Sequence, residues 1–199
     1  MLRRFGLTAA SLFLAYQSVR LVVAVRTGGA LPVGLEVFLA LLFNLFVLGA
    51  FAFAGFAWPT WRLLPGAYYR VRDARALATW SRRLGLEGYR TVLLATVWRS
   101  RRQRDRHFTG RRADLGRLAE QSRSAEFGHL VPMVLLLGVS AWTALRGEWV
   151  LAAVTLALNV FANAYPVLLQ RHHRMRLDRL RAYTSRRAGT LGVGPTDRP

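Results

Sequence analysis

Long apolar runs alternate with arginine-rich ones along this chain. Four of the apolar runs, about residues 5–25, 33–57, 129–145 and 149–170, approach the roughly 20 residues that a helix needs to cross hydrocarbon. Lipid offers the backbone no hydrogen-bond partner, so segments of that kind must be helical. The pattern therefore predicts an all-α, polytopic membrane protein with about four transmembrane helices. The first run follows Arg3 and Arg4 and has the basic start and apolar centre of a signal peptide. Its length, Arg20 near its far end and the lack of a good small-x-small cleavage site favour a retained helix.

The polar stretch between the second and third runs, residues 58–128, has its own periodicity. Leu77, Trp80 and Leu84 share one helical face while Arg75, Arg82 and Arg83 lie away from it, which predicts a basic cytoplasmic helix lying at the membrane interface. Trp58, Trp61, Tyr68, Tyr69 and Trp98 supply rings suited to the headgroup level, and Pro59, Pro65 and Gly66 break the chain as it leaves the second span. Residues 1–188 thus form a single integral-membrane helical domain, and residues 189–199, rich in Gly, Pro and Thr, form a flexible tail.

Composition sharpens this picture. Hydrophobic residues make up 53% and charged residues 20%, segregated into blocks, and the formal net charge is +19. All 29 basic residues are arginine, and apolar and aromatic stretches divide them into three clusters, which argues against a dedicated nucleic-acid protein. With no cysteine, disulfides, thiolate catalysis and cysteine-ligated zinc are excluded together. Residues 58–127 hold 16 arginines against six acids, and the chain from Arg171 onward holds eight against Asp178 and Asp197. The two short turns hold only Arg26, Arg146 and Glu148. Positive-inside bias then places both termini and the middle segment in the cytoplasm of a multi-pass cell-membrane protein.

Candidate chemistry gathers where the third span begins. Leu115, Leu118, Ser122, Ala125, Glu126 and His129 recur at helical spacing, forming one stripe that carries Glu126 and His129 into the apolar run. The third and fourth spans make a hairpin about Gly147, with 18 residues from that point to either His129 or Tyr165. At about 1.5 Å per residue, both lie roughly 27 Å from the turn and at one depth. Facing them, Asn159, Asn163 and Gln170 share a helical side, and Pro166 withdraws the donor that the Ala162 carbonyl would use. Each residue also has a plainer reading. Glu126 and His129 suit a surface i, i+3 pair, and the asparagines suit interhelical glue. His172 and His173 suit an exposed arginine-rich face, as does His107. Glu36 and Asn44 stand isolated in the second span, Glu36 near enough to its outer end to meet water. Two polar rows converging at one depth favour a functional site, because ionisable groups at membrane depth are costly. A Glu-x-x-His motif also occurs in di-metal bundles, but those use two, and none recurs here, so no metal is called for.

On these residues the chain resembles the glycosyl-4,4'-diaponeurosporenoate acyltransferase family, integral-membrane enzymes of bacterial carotenoid synthesis. Ala125, Glu126 and His129 match an A-E-x-x-H motif opening an apolar segment, and Gln170, Arg171, Arg174 and Arg176 match the closing Q-R-Y-N-R-x-R. Residues 68–94 are similar to the family's basic, aromatic segment, so the resemblance covers about residues 58–182. His172 and His173 replace the Tyr-Asn of the motif, and Leu130 replaces a tryptophan that often follows the histidine. These departures bear on the substrate more than on the fold.

The resemblance implies transfer of a fatty acyl group to a sugar hydroxyl of a glycosylated carotenoid or similar glycolipid. No cofactor is expected, the acyl-CoA or acyl carrier protein thioester being a co-substrate. Acyl transfer to an alcohol needs a base, for which His129 is the candidate, with Glu126 either orienting its ring and stabilising the imidazolium or binding a sugar hydroxyl. Asn163 and Gln170 would donate to the oxyanion or hold the sugar, and Arg171, Arg174 and Arg176 would face the anionic carrier in the cytosol. The rival class is a non-enzymatic membrane scaffold or assembly partner whose polar rows only join helices. The orientation can be checked directly: a C-terminal tag should be reached by its antibody only after the cell membrane is permeabilised, and labelling of intact cells would overturn it.

Overall fold

The computed structural model describes residues 1–96 and 114–190. Its elements are α1 (Leu2–Thr27), α2 (Val33–Ala57), a 3₁₀ turn (Thr60–Leu63), α3 (Ala74–Arg83), α4 (Leu86–Thr96), α5 (Asp114–Leu145), α6 (Trp149–Asn159), a π-helical turn (Val160–Ala164) and α7 (Tyr165–Thr190). Among the described residues no strand occurs, as the all-α expectation requires. Four stretches are long and apolar enough to cross a membrane: Leu2–Thr27, Val33–Ala57, Leu115–Leu145 and Trp149–Leu180. The last two outrun the apolar stretches read from the sequence. Polarity marks where lipid would end, whereas backbone hydrogen bonding carries the helix on into the basic residues. Trp98 and His107 lie outside the described residues, as does the expected tail beyond Thr190.

The chain forms two compact units, Met1–Tyr68 with Arg123–Leu168, and Tyr69–Ser122 with Leu169–Pro199. In the first, local chemistry sets the helix ends. Pro59 forces Trp58 into extended backbone, φ −133° and ψ 153°, and so ends α2. Gly147, at φ 83°, supplies the left-handed turn after α5. Helices α1 and α2 run antiparallel. The Ser11 hydroxyl donates to the Ala50 carbonyl at 2.8 Å, and the Trp58 indole donates to Thr8 Oγ1 at 3.1 Å. Val25, Ala40, Phe43, Val47, Leu136 and Leu151 form the core. The outer faces stay apolar: Phe5 is 72% exposed, Leu12 67% and Leu45 62%. That much exposed hydrocarbon suits lipid rather than water.

Lipid tails are as apolar as leucine, so burial alone drives helix association weakly, and polar contacts bear more of the specificity. The structure corrects the reading of Glu36 as a residue that meets water. It is buried, and its Oε2 accepts the Leu151 backbone N–H at 2.7 Å. Leu151 lies in the first turn of α6, whose preceding Glu148 makes no side-chain cap, so a carboxylate from α2 does the capping. Asn44 is likewise not isolated; its Nδ2 donates to the Ala40 carbonyl at 3.0 Å and to that of Thr155 at 3.4 Å. Arg146 serves the other polarity. Its Nη2 donates to the Val25 and Arg26 carbonyls at 3.2 and 3.3 Å, near the end of α1, while the guanidinium lies over Trp142.

In the second unit Asp73 caps α3, accepting from the Arg75 and Ala76 amides at 2.8 Å each, and Gly85, at φ 65°, turns the chain into α4. Leu77 is half-buried while Trp80 and Leu84 are exposed, leaving an apolar edge on a basic helix. This is the surface that an interfacial helix presents.

Glu36→Ala removes the cap of α6 and should lower stability by about 1–2 kcal/mol. Glu36→Gln, which keeps an acceptor oxygen, should lose less than half of that. Thermal unfolding of the purified protein in detergent would check both, and equal losses would show that the hydrogen bond is not what matters.

Candidate functional site

The first unit holds Glu126, His129 and Asn163. Glu126 is fully buried in α5, and its Oε1 accepts the Tyr68 hydroxyl at 3.1 Å. Tyr68 reads from the sequence only as an interfacial ring. The structure makes it a partner of the acid, one short loop beyond the second span.

His129 lies one turn further along α5. Its Nδ1 is 3.4 Å from Asn163 Oδ1. Asn163 Nδ2 donates to Asn159 Oδ1 at 2.9 Å, and Asn159 Nδ2 donates to the Met133 carbonyl at 3.0 Å. This ladder has a direction. A backbone carbonyl only accepts, so Asn159 must turn its amide nitrogen to Met133 and its oxygen to Asn163. Asn163 must then turn its own oxygen to His129. The ladder thus asks for a proton on His129 Nδ1, and in a neutral ring so oriented the lone pair is on Nε2.

The backbone at this level is modified to suit. Pro166 has no N–H for the Ala162 carbonyl, and the helix answers with a π-helical turn, in which the Tyr165 N–H bonds to Val160 O five residues back. The Ala162 backbone lies beside the His129 imidazole. The carbonyl expected to be freed is therefore next to the histidine. Register differs from the equal-arm estimate, which paired His129 with Tyr165. His129 meets Asn163, and four residues on in α5 Met133 meets Asn159, four residues back in the opposite arm. Both contacts sit two residues nearer the turn than equal arms would place them.

The second unit holds Gln170, Arg171, Arg174 and Arg176, all on α7. The Gln170 carbonyl accepts the Ser122 hydroxyl at 3.3 Å, and its side chain is half-buried. Of the three arginines expected to face outward, Arg176 is exposed, Arg171 is half-buried and Arg174 is buried. Arg174 Nε donates to the Tyr69 carbonyl at 3.3 Å, with its guanidinium over the Tyr69 ring. A flat cation can stack on a ring and bond to a carbonyl at once, which makes Arg174 a packing residue of this unit. His173 is exposed, as a solvated face requires, but His172 is half-buried and its Nδ1 is buried without a hydrogen-bond partner.

Residues 65–183, well over half the chain, match the family model of glycosyl-4,4'-diaponeurosporenoate acyltransferase. The chain belongs to that family. The match takes in Tyr68, Glu126, His129, Asn159, Asn163 and the arginines of α7, and leaves out α1 and α2. No curated protein and no solved structure matches the chain. Membership makes the acyltransferase resemblance a finding, and the four membrane-length helices agree with it.

Sequence reasoning selected Asn163 but left Asn159 outside the site, although the two share a helical face. The signal that could have promoted Asn159 was its i, i+4 spacing to Asn163, since a buried amide that bonds to another must itself be held. Nitrogen-15 NMR of protein labelled at histidine should show His129 as the Nδ1–H tautomer, and Asn163→Ala should release the ring to a mixture dominated by Nε2–H. A wild-type spectrum dominated by Nε2–H would refute the ladder's direction.

Proposed function

We propose that this protein transfers a fatty acyl group from an activated thioester carrier to a sugar hydroxyl of a glycosylated carotenoid or related glycolipid, with His129 as general base. The reading rests on membership of the acyltransferase family. One geometric observation carries its chemistry: the Asn ladder holds the proton of His129 on Nδ1. Nε2 is then the basic atom, and it is held in place before substrate arrives.

In the proposed reaction the sugar oxygen attacks the thioester carbonyl carbon while Nε2 takes the hydroxyl proton. A C–O bond forms, the carbonyl electrons move to oxygen, and their return expels the carrier thiolate, which takes the proton back from the imidazolium. Asn163, a neutral acceptor, orients the ring in this scheme. Glu126 and Tyr68 form a hydrogen-bonded pair suited to a sugar hydroxyl, because a carboxylate accepts and a phenol can do either. Gln170 is assigned to the sugar or the oxyanion. Arg171 and Arg176 are assigned to the anionic carrier, an acyl-CoA or acyl carrier protein, with Arg174 supporting them from the interior. The carotenoid chain would lie in lipid along the spans of the cell membrane, with both termini and residues 58–128 on the cytoplasmic side.

The scaffold reading draws on the same ladder, since an amide chain ending on a backbone carbonyl also glues helices. Variants compared at equal protein abundance separate the two. His129→Ala should lower acyl transfer roughly a hundredfold or more. Glu126→Gln should fold and lose much of the rate, while His173→Ala, on an exposed face, should be nearly neutral. Normal amounts of esterified product from stably expressed His129→Ala protein would end the catalytic reading.

A further inference from the structure

The start of α1 and the end of α2 enclose a cleft of about 390 Å³ lined by Met1, Arg3, Arg4, Leu7, Phe56 and Ala57. It lies outside the region matched to the acyltransferase family and takes no part in the site above. One wall is cationic and the other apolar. No Asp or Glu precedes Glu36 in the chain, and none falls between Glu36 and Asp73. Among the described residues neither Arg3 nor Arg4 forms an ion pair. The first turn of α1 adds to the positive field, because no side chain caps it.

The cleft is braced by a short relay. The Trp58 indole donates to Thr8 Oγ1 at 3.1 Å, and the Thr8 hydroxyl donates to the Arg4 carbonyl at 2.9 Å. The Arg4 guanidinium lies 6.0 Å over the Trp58 ring. Indole, hydroxyl and backbone thus tie the two helices together at the level where the cations sit. On the apolar side Phe56 is 70% exposed, at the end of a helix of membrane-crossing length. A ligand that fits must carry a negative charge at one end and hydrocarbon at the other, and must reach the site from within the bilayer.

We propose that this cleft binds an anionic phospholipid, its headgroup phosphate between Arg3 and Arg4 and an acyl chain along Leu7 and Phe56. Two arginines facing a headgroup, each worth roughly 1 kcal/mol near an anionic surface, give a preference of about tenfold or more over a zwitterionic lipid. The occupied cleft would anchor the helical hairpin that the family region lacks.

The test uses the full-length protein, purified in detergent, given equal amounts of phosphatidylglycerol and phosphatidylcholine, and read by native mass spectrometry. Wild type should retain phosphatidylglycerol preferentially. The double variant Arg3→Gln, Arg4→Gln should lose roughly tenfold or more of that retention, and Arg26→Gln, at the other end of α1, should not change it. Should the double variant lose its helicity, the single variants Arg3→Gln and Arg4→Gln serve instead, each with a severalfold loss. Phe56→Ser, which leaves both cations in place, should also weaken retention. Undiminished retention in the arginine variants, or equal retention of phosphatidylcholine by wild type, would overturn the proposal. Displacement of the lipid by millimolar glycerol phosphate would overturn it too, as the site would then recognise phosphate without the chain.

Discussion

Within hydrocarbon a buried polar group must find its partner in the protein, and the arrangement of the first unit follows from that requirement. Met133 sits one turn of α5 beyond His129, and its carbonyl is the fixed end of the amide chain through Asn159 and Asn163. An acceptor that cannot donate sets the direction of every bond after it. A histidine tautomer is thereby determined by a backbone atom on its own helix, through two side chains on the helix opposite. Such a network does two things at once. It fixes the register of α5 against the last span, and it holds an imidazole lone pair ready. On the function proposed, the bonds that join the helices would also be what keeps the base oriented.

The same requirement shapes the opposite end of the unit. Helix termini expose amides and carbonyls, and in a hairpin bundle several of them cluster near the turns. Glu36 supplies the acceptor for the start of α6, and Arg146 supplies the donor for the end of α1. Each charge answers the helix end of opposite polarity. Charged residues in or near spans invite a functional reading by default, yet these two are accounted for by capping alone. His129 differs because its partners leave one ring nitrogen unused by the ladder.

The second unit uses polar chemistry differently. Arg174 is enclosed by Tyr69, and Asp73 and Gly85 set the boundaries of α3. The closing motif of the family therefore contains residues with different work: Arg174 builds the unit, while Arg176 remains open to its surroundings. Charge matched to a motif does not tell these apart, because a guanidinium over a ring and a guanidinium in water are identical in sequence.

By itself the sequence determined whatever depends on local composition. Four apolar runs became four membrane-length helices, the i, i+4 asparagines bonded to each other, and Pro166 left the Ala162 carbonyl without its helical donor. These follow from rise per residue, side-chain periodicity and a missing N–H, all of which are properties of neighbouring residues. Tertiary structure alone decided the partners. Glu36 reaches Leu151 across 115 residues, Tyr68 reaches Glu126 across 58, and Arg174 reaches Tyr69 across 105. Pairing at such separations depends on how helices rotate and slide against one another. A shift of two residues changes which side chain a histidine meets, and no local pattern encodes it.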